Sequence, residues 1–346
     1  MDSEKSNSKD SEINDTISLL NPNDDTLNKV NVEDYKNLTF KSFEEFSGFL
    51  LSTFEKKNIE VFRETDVFEV GEELGKGAFG VVNKAIRKGE TYAIKFLDKI
   101  DHTLPPDKTI FTILNELKNI TKVKHERIPH FYGVYQKDEK LGLVFSFITG
   151  STLNIYFKKN KISNLEKCNL LIQLVEILVN LHSKRVIHRD IKPKNTMITP
   201  EGKLILIDFG ISRINEHTVA KTMGVNGSPA YSPPEAFIDI NKDSEDRTFE
   251  ITTKFDVWSV GCVMLEMYSG EKPWQKKFKD SNKIMFALSK GTTFKGSYVP
   301  IPEILEKEYP KVLEVISKCL IKDVMSRYTS KELLSKLLEL KEFYSK

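Results

Sequence analysis

The amino-acid sequence predicts an α+β fold in two lobes, a small β-rich lobe with one main helix and a larger, mainly helical one. Three observations carry this. Short apolar, β-branched and aromatic runs separated by turn residues fill the stretch from Val67 to Ile148. Beyond Gly150 the apolar residues recur at helical spacing over longer windows. The chain has 346 residues, 39% of them hydrophobic, enough for a two-lobed domain with an extension.

In chain order, residues 1–34 carry nine acids against three lysines. Such a segment buries too little apolar surface to offset its ordering entropy, so disorder is expected. Phe43, Phe46, Phe49, Leu50 and Phe54 then predict an amphipathic helix up to about Lys57, in an extension spanning 35–65. Its stripe fits packing on its own domain or the docking of a partner. Strands are expected over 67–70, 91–96, 131–135 and 141–148 in a mostly antiparallel sheet. A helix begins at Pro105-Pro106 and continues through Ile110, Ile113, Leu114, Leu117 and Ile120. Helices follow over 165–181, 255–268, 283–288, 309–320 and 330–341. Thr199-Pro200-Glu201-Gly202 reads as a turn between two short strands, and 239–253 as a charged surface loop.

Bulk properties exclude several classes. A net charge of +2 gives no electrostatic case for nucleic acid or an anionic membrane. Cys168, Cys262 and Cys319 are few, scattered and odd in number, which fits a reducing compartment without structural disulfides or a zinc site. No stretch approaches the roughly 20 apolar residues of a membrane span. The Met1-Asp2-Ser3 start lacks a basic n-region, an apolar h-region and a myristoylation glycine. A cytoplasmic location is expected, with the nucleus as the alternative.

The densest chemistry lies in Val186-Ile187-His188-Arg189-Asp190-Ile191-Lys192-Pro193-Lys194-Asn195. A carboxylate, an ammonium and an amide fall within six residues, and Pro193 bars a regular helix that would scatter them. The apolar run 204–207 ends in Asp208-Phe209-Gly210, a second acid at a strand terminus. Two acids and an amide converging would hold a divalent cation and accept a proton. Taken singly, Asp190 also fits a cap or a pair with Arg189, and His188 a core histidine.

Upstream, Gly75-x-Gly77-x-x-Gly80 follows Leu74 and runs into Val81-Val82, a strand instead of the helix that a dinucleotide fold would place there. A glycine-rich hairpin lets backbone N–H groups approach phosphate oxygens, although an ordinary tight turn has the same composition. Lys95 sits in the apolar strand Ala93-Ile94-Lys95, either paired with Glu116 of the next helix or reaching water from an edge.

Taken together and in this order, these stretches resemble the eukaryotic protein kinases. Gly227-Ser228-Pro229-Ala230-Tyr231-Ser232-Pro233-Pro234-Glu235 is similar to their substrate-docking segment, and Asp256-Val257-Trp258-Ser259-Val260-Gly261 and Arg327 to two structural landmarks. The resemblance covers about 66–340 and implies the two-lobed protein-kinase fold, with an N-lobe over 66–148, a C-lobe over 149–340 and a tail over 341–346.

It further implies ATP and Mg2+ as cofactors and protein substrates as partners. Leu74 borders the nucleotide, Gly75, Gly77 and Gly80 cover its phosphates, and Lys95, paired with Glu116, holds the α- and β-phosphates. Val82 and Ala93 roof the adenine, Met197 floors it, and Ser146, Phe147 and Ile148 form the hinge. Asn195 and Asp208 are the metal ligands. Asp190 accepts the hydroxyl proton and Lys192 steadies the γ-phosphate. Glu235 with Arg327, and Asp256 against the catalytic loop, are structural.

Lys192 and Gly227-Ser228-Pro229 resemble the serine/threonine branch. Arg189 before Asp190 implies activation by loop phosphorylation, with Thr222 the expected site among Ser212, Thr218, Thr222 and Ser228. The chain departs from the family at Pro233-Pro234, at the uncharged Ser146 and Thr152, and in the longer Lys95–Glu116 spacing, while the bulky Phe145 narrows the space behind the adenine. The alternatives are a pseudokinase-like scaffold, disfavoured by the intact Lys95, Asp190, Asn195 and Asp208, and a small-molecule kinase, disfavoured by the docking segment.

Overall fold

The computed structural model describes residues 43–56, 58–77, 80–97, 117, 120–121, 123–138, 140–208, 213–214, 228–237 and 252–346. The expectations for residues 1–42, most of the helix after Pro105, Glu116, Thr222 and most of the 239–253 loop lie outside them. Described residues up to 118 together with 130–147 form one compact unit, and 119–129 with 148–346 form another.

The first unit is a six-stranded sheet built from β1 (Glu60–Phe62), β2 (Glu69–Gly77), β3 (Gly80–Arg87), β4 (Glu90–Leu97), β5 (Phe131–Lys137) and β6 (Lys140–Ser146), in the order β1-β5-β6-β4-β3-β2. Every pairing is antiparallel except that of β1 with β5, which is parallel. The sequence does not announce β1, because three residues carry no readable alternation. The expected strand at 67–70 begins at Glu69 and runs on to Gly77, and that expected at 141–148 ends at Ser146. Leu117, Ile120 and Thr121 are helical.

Helix α1 (Phe43–Lys56) belongs to this unit. Leu50 and Phe54 are 0% and 1% exposed, and Ser47 accepts a hydrogen bond from Gln136 of β5 at 3.4 Å. Among the described side chains of the stripe, Phe49, Leu50 and Phe54 are therefore buried on their own unit and not held out for a partner. Arg63 pairs with Glu55 of α1 at 2.6 Å, and Glu64 accepts from the Asp138 N–H at 2.8 Å. Phe62 enters the core beside Phe68, Tyr92, Ile94, Tyr135 and Val144. The Arg87 guanidinium lies 4.8 Å from the Phe62 ring centroid and pairs with Asp66 at 2.8 Å. Backbone and side-chain hydrogen bonds thus fasten the extension to the sheet.

The second unit is organised around a buried helix. Its elements are β7 (Ser151–Thr152), α2 (Leu153–Lys159), α3 (Asn164–Ser183), β8 (Val186–Ile187), β9 (Thr196–Ile198), β10 (Leu204–Leu206), β11 (Arg213–Ile214), α4 (Lys254–Ser269), α5 (Ser281–Ser289), α6 (Glu303–Glu308), α7 (Pro310–Cys319) and α8 (Ser330–Ser345). Every residue of α4 from Phe255 to Tyr268 is buried, Asp256, Ser259 and Glu266 among them, so this stretch has no solvent face. Gly261 lets α7 approach: a Cβ there would sit 2.6 Å from Cys319 Cβ. Helix α3 starts at Ser163, whose hydroxyl accepts the Glu166 N–H at 3.1 Å. Helix α8 packs along α3 and opens with a capping box, Thr329 and Glu332 bonding each other's N–H. All three cysteines are free and buried. Among the described residues no helix is long and apolar enough to cross a membrane.

Gly133 is where the extension is most vulnerable. A Cβ there would lie 2.2 Å from the Glu60 carbonyl oxygen, so only glycine permits the β1–β5 pairing. We expect Gly133→Ala to lower stability by about 2–3 kcal/mol, in the range of other severe backbone clashes. Thermal denaturation is the check; an unchanged melting temperature would show that β1 is not fixed by that contact.

Candidate active site

The loop after β8 is held by one carboxylate. Asp256, fully buried near the start of α4, accepts the backbone N–H of His188 on Oδ2 and of Arg189 on Oδ1, both at 2.8 Å. Its Oδ2 also meets His182 Nε2 at 2.9 Å, while His182 Nδ1 reaches Ser330 Oγ at 2.9 Å. Burial opposes ionisation of Asp256, but the hydrogen bond and electrostatic attraction of His182 and the His188 N–H outweigh it and bring the carboxyl below the usual carboxylate range. Burial pushes His188 down, against the attraction of Asp256, Asp190 and Asp208, so its imidazole is held toward neutrality. Arg189 and Asp208 both adopt left-handed backbone, with φ of +68° and +65°. A non-glycine residue there costs about 1–2 kcal/mol, which the charge-assisted bond from the Arg189 N–H to Asp256 offsets.

This anchoring places Asp190, Lys192 and Asn195 together. Asp190 Oδ2 accepts from Lys192 Nζ at 2.6 Å and from Asn195 Nδ2 at 2.8 Å. Asn195 Nδ2 also donates to the Asp190 carbonyl at 2.9 Å, closing the loop on itself. Pro193 opens a single 3-10 turn, Pro193–Asn195, that brings Lys192 and Asn195 to one carboxylate. Asp190 is thus paired with Lys192, not with Arg189. Lys192 Nζ donates further to Ser228 Oγ at 2.9 Å, joining the loop to the segment 228–237.

Asp208 follows β10. The Ile207 N–H donates to the Asn195 carbonyl at 2.8 Å, which brings the end of β10 beside the turn. Asp208 is exposed, and the Asn195 amide spends its nitrogen on Asp190, leaving an oxygen for another donor set. One carboxylate and one amide oxygen suit a hard cation such as magnesium that keeps water and phosphate ligands. Among the described residues no group of three or more His, Cys, Asp or Glu could hold a metal by itself.

Segment 228–237 is tied to α4 at two points. Arg327, 1% exposed, holds Glu235 bidentately at 2.6 and 3.0 Å and donates to the Lys254 carbonyl at 3.1 Å. Tyr231 donates to Glu266 at 2.5 Å, and its carbonyl accepts from Ser259 Oγ at 2.9 Å. Burial pushes both the Tyr231 hydroxyl and the Glu266 carboxyl up, so the pair sits toward its protonated form. Sequence reasoning missed His182 and Glu266. A histidine ending a helix and a glutamate inside one have no local signature, and both acquire partners only through the fold.

In the first unit, the glycine stretch forms the tip of the β2–β3 pair, in register Gly75↔Val82, Lys76↔Val81 and Gly77↔Gly80. Leu74 there is 44% exposed. Lys95 is 7% exposed on β4, an interior strand between β3 and β6, which rules out the edge position. Val82 lies directly opposite Lys95, and Ala93 is two residues away on the same strand, so all three share one face of the sheet. Phe145 is opposite Ala93 on that face. Ser146 bonds His130 in both directions, its N–H to the carbonyl at 2.9 Å and its Oγ from the N–H at 3.0 Å. In the second unit Met197 lies on β9 opposite Ile205 and Thr152, and Ile148 precedes β7.

The protein kinase domain family model matches residues 68–338. A probable serine/threonine-protein kinase of Dictyostelium discoideum is 30% identical over 77% of this chain and 50% of its own length. The serine/threonine-protein kinase TIO of Arabidopsis thaliana is 32% identical over 60% of this chain and 15% of its own. Mitogen-activated protein kinase kinase kinase 2 of Arabidopsis thaliana is 28% identical over 76% and 39%. The chain thus spans half or less of the length of these curated relatives. With a β-sheet unit, a helical unit and a family match over most of its length, the chain belongs to the protein kinase domain family.

Proposed function

We propose that this chain is a serine/threonine protein kinase that transfers the γ-phosphate of ATP to hydroxyl groups of protein substrates. The observation that carries the reading is Lys192 Nζ, held between Asp190 Oδ2 at 2.6 Å and Ser228 Oγ at 2.9 Å. That contact sets an ammonium beside the only buried acid of the loop and ties both to the segment that resembles a polypeptide-docking element. Lys192 stands where the serine/threonine branch has lysine, and the relatives named as serine/threonine kinases support the same branch.

In this reading Asp190 accepts the proton of the attacking hydroxyl as the new oxygen–phosphorus bond forms and the bond to the ADP oxygen breaks. Lys192 offsets charge on the transferring group, and Lys95, with Glu116, holds the α- and β-phosphates. Gly75, Gly77 and Gly80 present N–H groups to the phosphates, with Leu74, Val82, Ala93 and Met197 around the base and Ser146 to Ile148 as the hinge. Asn195 and Asp208 would hold magnesium, which supplies positive charge to the phosphate oxygens when bound. Positioning and neutralisation are the bulk of what phosphoryl transfer needs, so a carboxylate of ordinary basicity suffices.

Regulation by phosphate on Thr222 belongs to the same proposal, with Arg189 as its expected partner. The domain boundaries 66–340 and a cytoplasmic or nuclear location complete it; three free buried cysteines accord with a reducing compartment.

Three measurements test this. Asp190→Asn should reduce magnesium-dependent phosphate incorporation at least ~10²-fold with folding intact, the magnitude of a lost general base; equal incorporation by both proteins would remove Asp190 as the acceptor. Phosphoamino-acid analysis of the products should give phosphoserine and phosphothreonine, and Thr222→Ala should lower turnover by about tenfold, in keeping with an ordered loop completing the site. Predominant phosphotyrosine would overturn the branch assignment, and unchanged turnover would remove Thr222 as the regulatory site.

A further inference from the structure

The surface around the docking segment is lined with lysine. Lys194 is exposed on the Pro193–Asn195 turn, two residues from Lys192. Helix α2 packs against that turn and carries exposed Lys158 in its last turn. Exposed Lys272 follows the end of α4, and it and Lys158 both act through space on the Glu266 carboxyl. Both ammonium groups are therefore within electrostatic reach of the carboxylate that Tyr231 meets on α4. Among the described residues none of Lys158, Lys194 and Lys272 is in an ion pair.

The acids beside these lysines in the chain are already engaged, Asp190 with Lys192 and Glu271 with Lys276, each at 2.6 Å. Glu266 is 9% exposed and already accepts from Tyr231 at 2.5 Å, so it is withdrawn from any arriving cation. Thr152, at the N-terminus of α2, adds no charge. A basic segment laid along Ser228 to Glu235 would meet three unpaired ammonium groups, whereas an acidic one would meet partners for its carboxylates.

We propose that Lys158, Lys194 and Lys272 form a specificity rim that selects phosphoacceptor segments with acidic flanking residues. The proposal rests on the kinase reading of the same site. Exposed pairs are individually weak and sensitive to salt, so the rim acts through the three together and through the rejection of basic flanks.

Three serine-centred peptides, flanked by glutamate, alanine or lysine, distinguish the outcomes with the full chain. The expected kcat/KM is about tenfold higher for the glutamate peptide than for the lysine peptide, with the difference mainly in KM. The ratio narrows between about 50 and 300 mM salt and inverts in the triple variant Lys158→Glu, Lys194→Glu, Lys272→Glu. Lys272→Glu alone gives a partial shift and serves where the triple variant fails to fold. Equal or better use of the lysine peptide overturns the rim and leaves the kinase reading intact. No incorporation into any of the peptides or into a mixed protein substrate overturns the kinase reading and the rim with it.

Discussion

The Asp256 carboxylate is the interaction on which the catalytic loop depends. It is fully buried, yet His182 and the two backbone N–H groups of His188 and Arg189 surround it with donors. A buried charge so provided for costs little, and it fixes the backbone of two consecutive residues. Arg189 is thereby kept in left-handed backbone, and the next residue, Asp190, is turned toward Lys192 and Asn195. Because α4 is buried over nearly all its length, the carboxylate has a rigid base. Packing is converted into the position of the Asp190 carboxylate.

The same helix organises the second half of the site. Ser259 and Glu266 hold Tyr231, and Lys254 shares Arg327 with Glu235. Segment 228–237 is therefore referred to the same scaffold as the loop, and Lys192 joins them through Ser228. Removing one partner from a buried ion pair such as Arg327–Glu235 leaves an uncompensated charge, which costs about 3–5 kcal/mol. The outward-facing lysines have no such constraint and are free to serve selection.

Much of this was legible in the residues. Strand β4, expected over 91–96, spans Glu90–Leu97, and the helix expected over 165–181 spans Asn164–Ser183, because both have long apolar patterns and clear ends. Strand β1 and its parallel partner were not legible: Glu60-Val61-Phe62 becomes a strand only because Gly133, far along the chain, leaves room for it. Helices α2 and α6 are too short for periodicity to declare them. In the site, the proximity of Asp190, Lys192 and Asn195 followed from their spacing around Pro193. The partners that hold them, His182 and Asp256, lie 74 residues apart in sequence and meet only through packing.

The most direct test is the turnover of Asp256→Asn. Asparagine keeps the shape but turns one acceptor into a donor facing an N–H group, and the loss of a charged hydrogen bond of about 1.5–3 kcal/mol corresponds to roughly tenfold or more in rate. The account predicts that kcat falls by that amount while KM for ATP stays within about twofold, since Asp256 bonds none of the residues assigned to the nucleotide. A folded Asp256→Asn protein with unchanged kcat would contradict it.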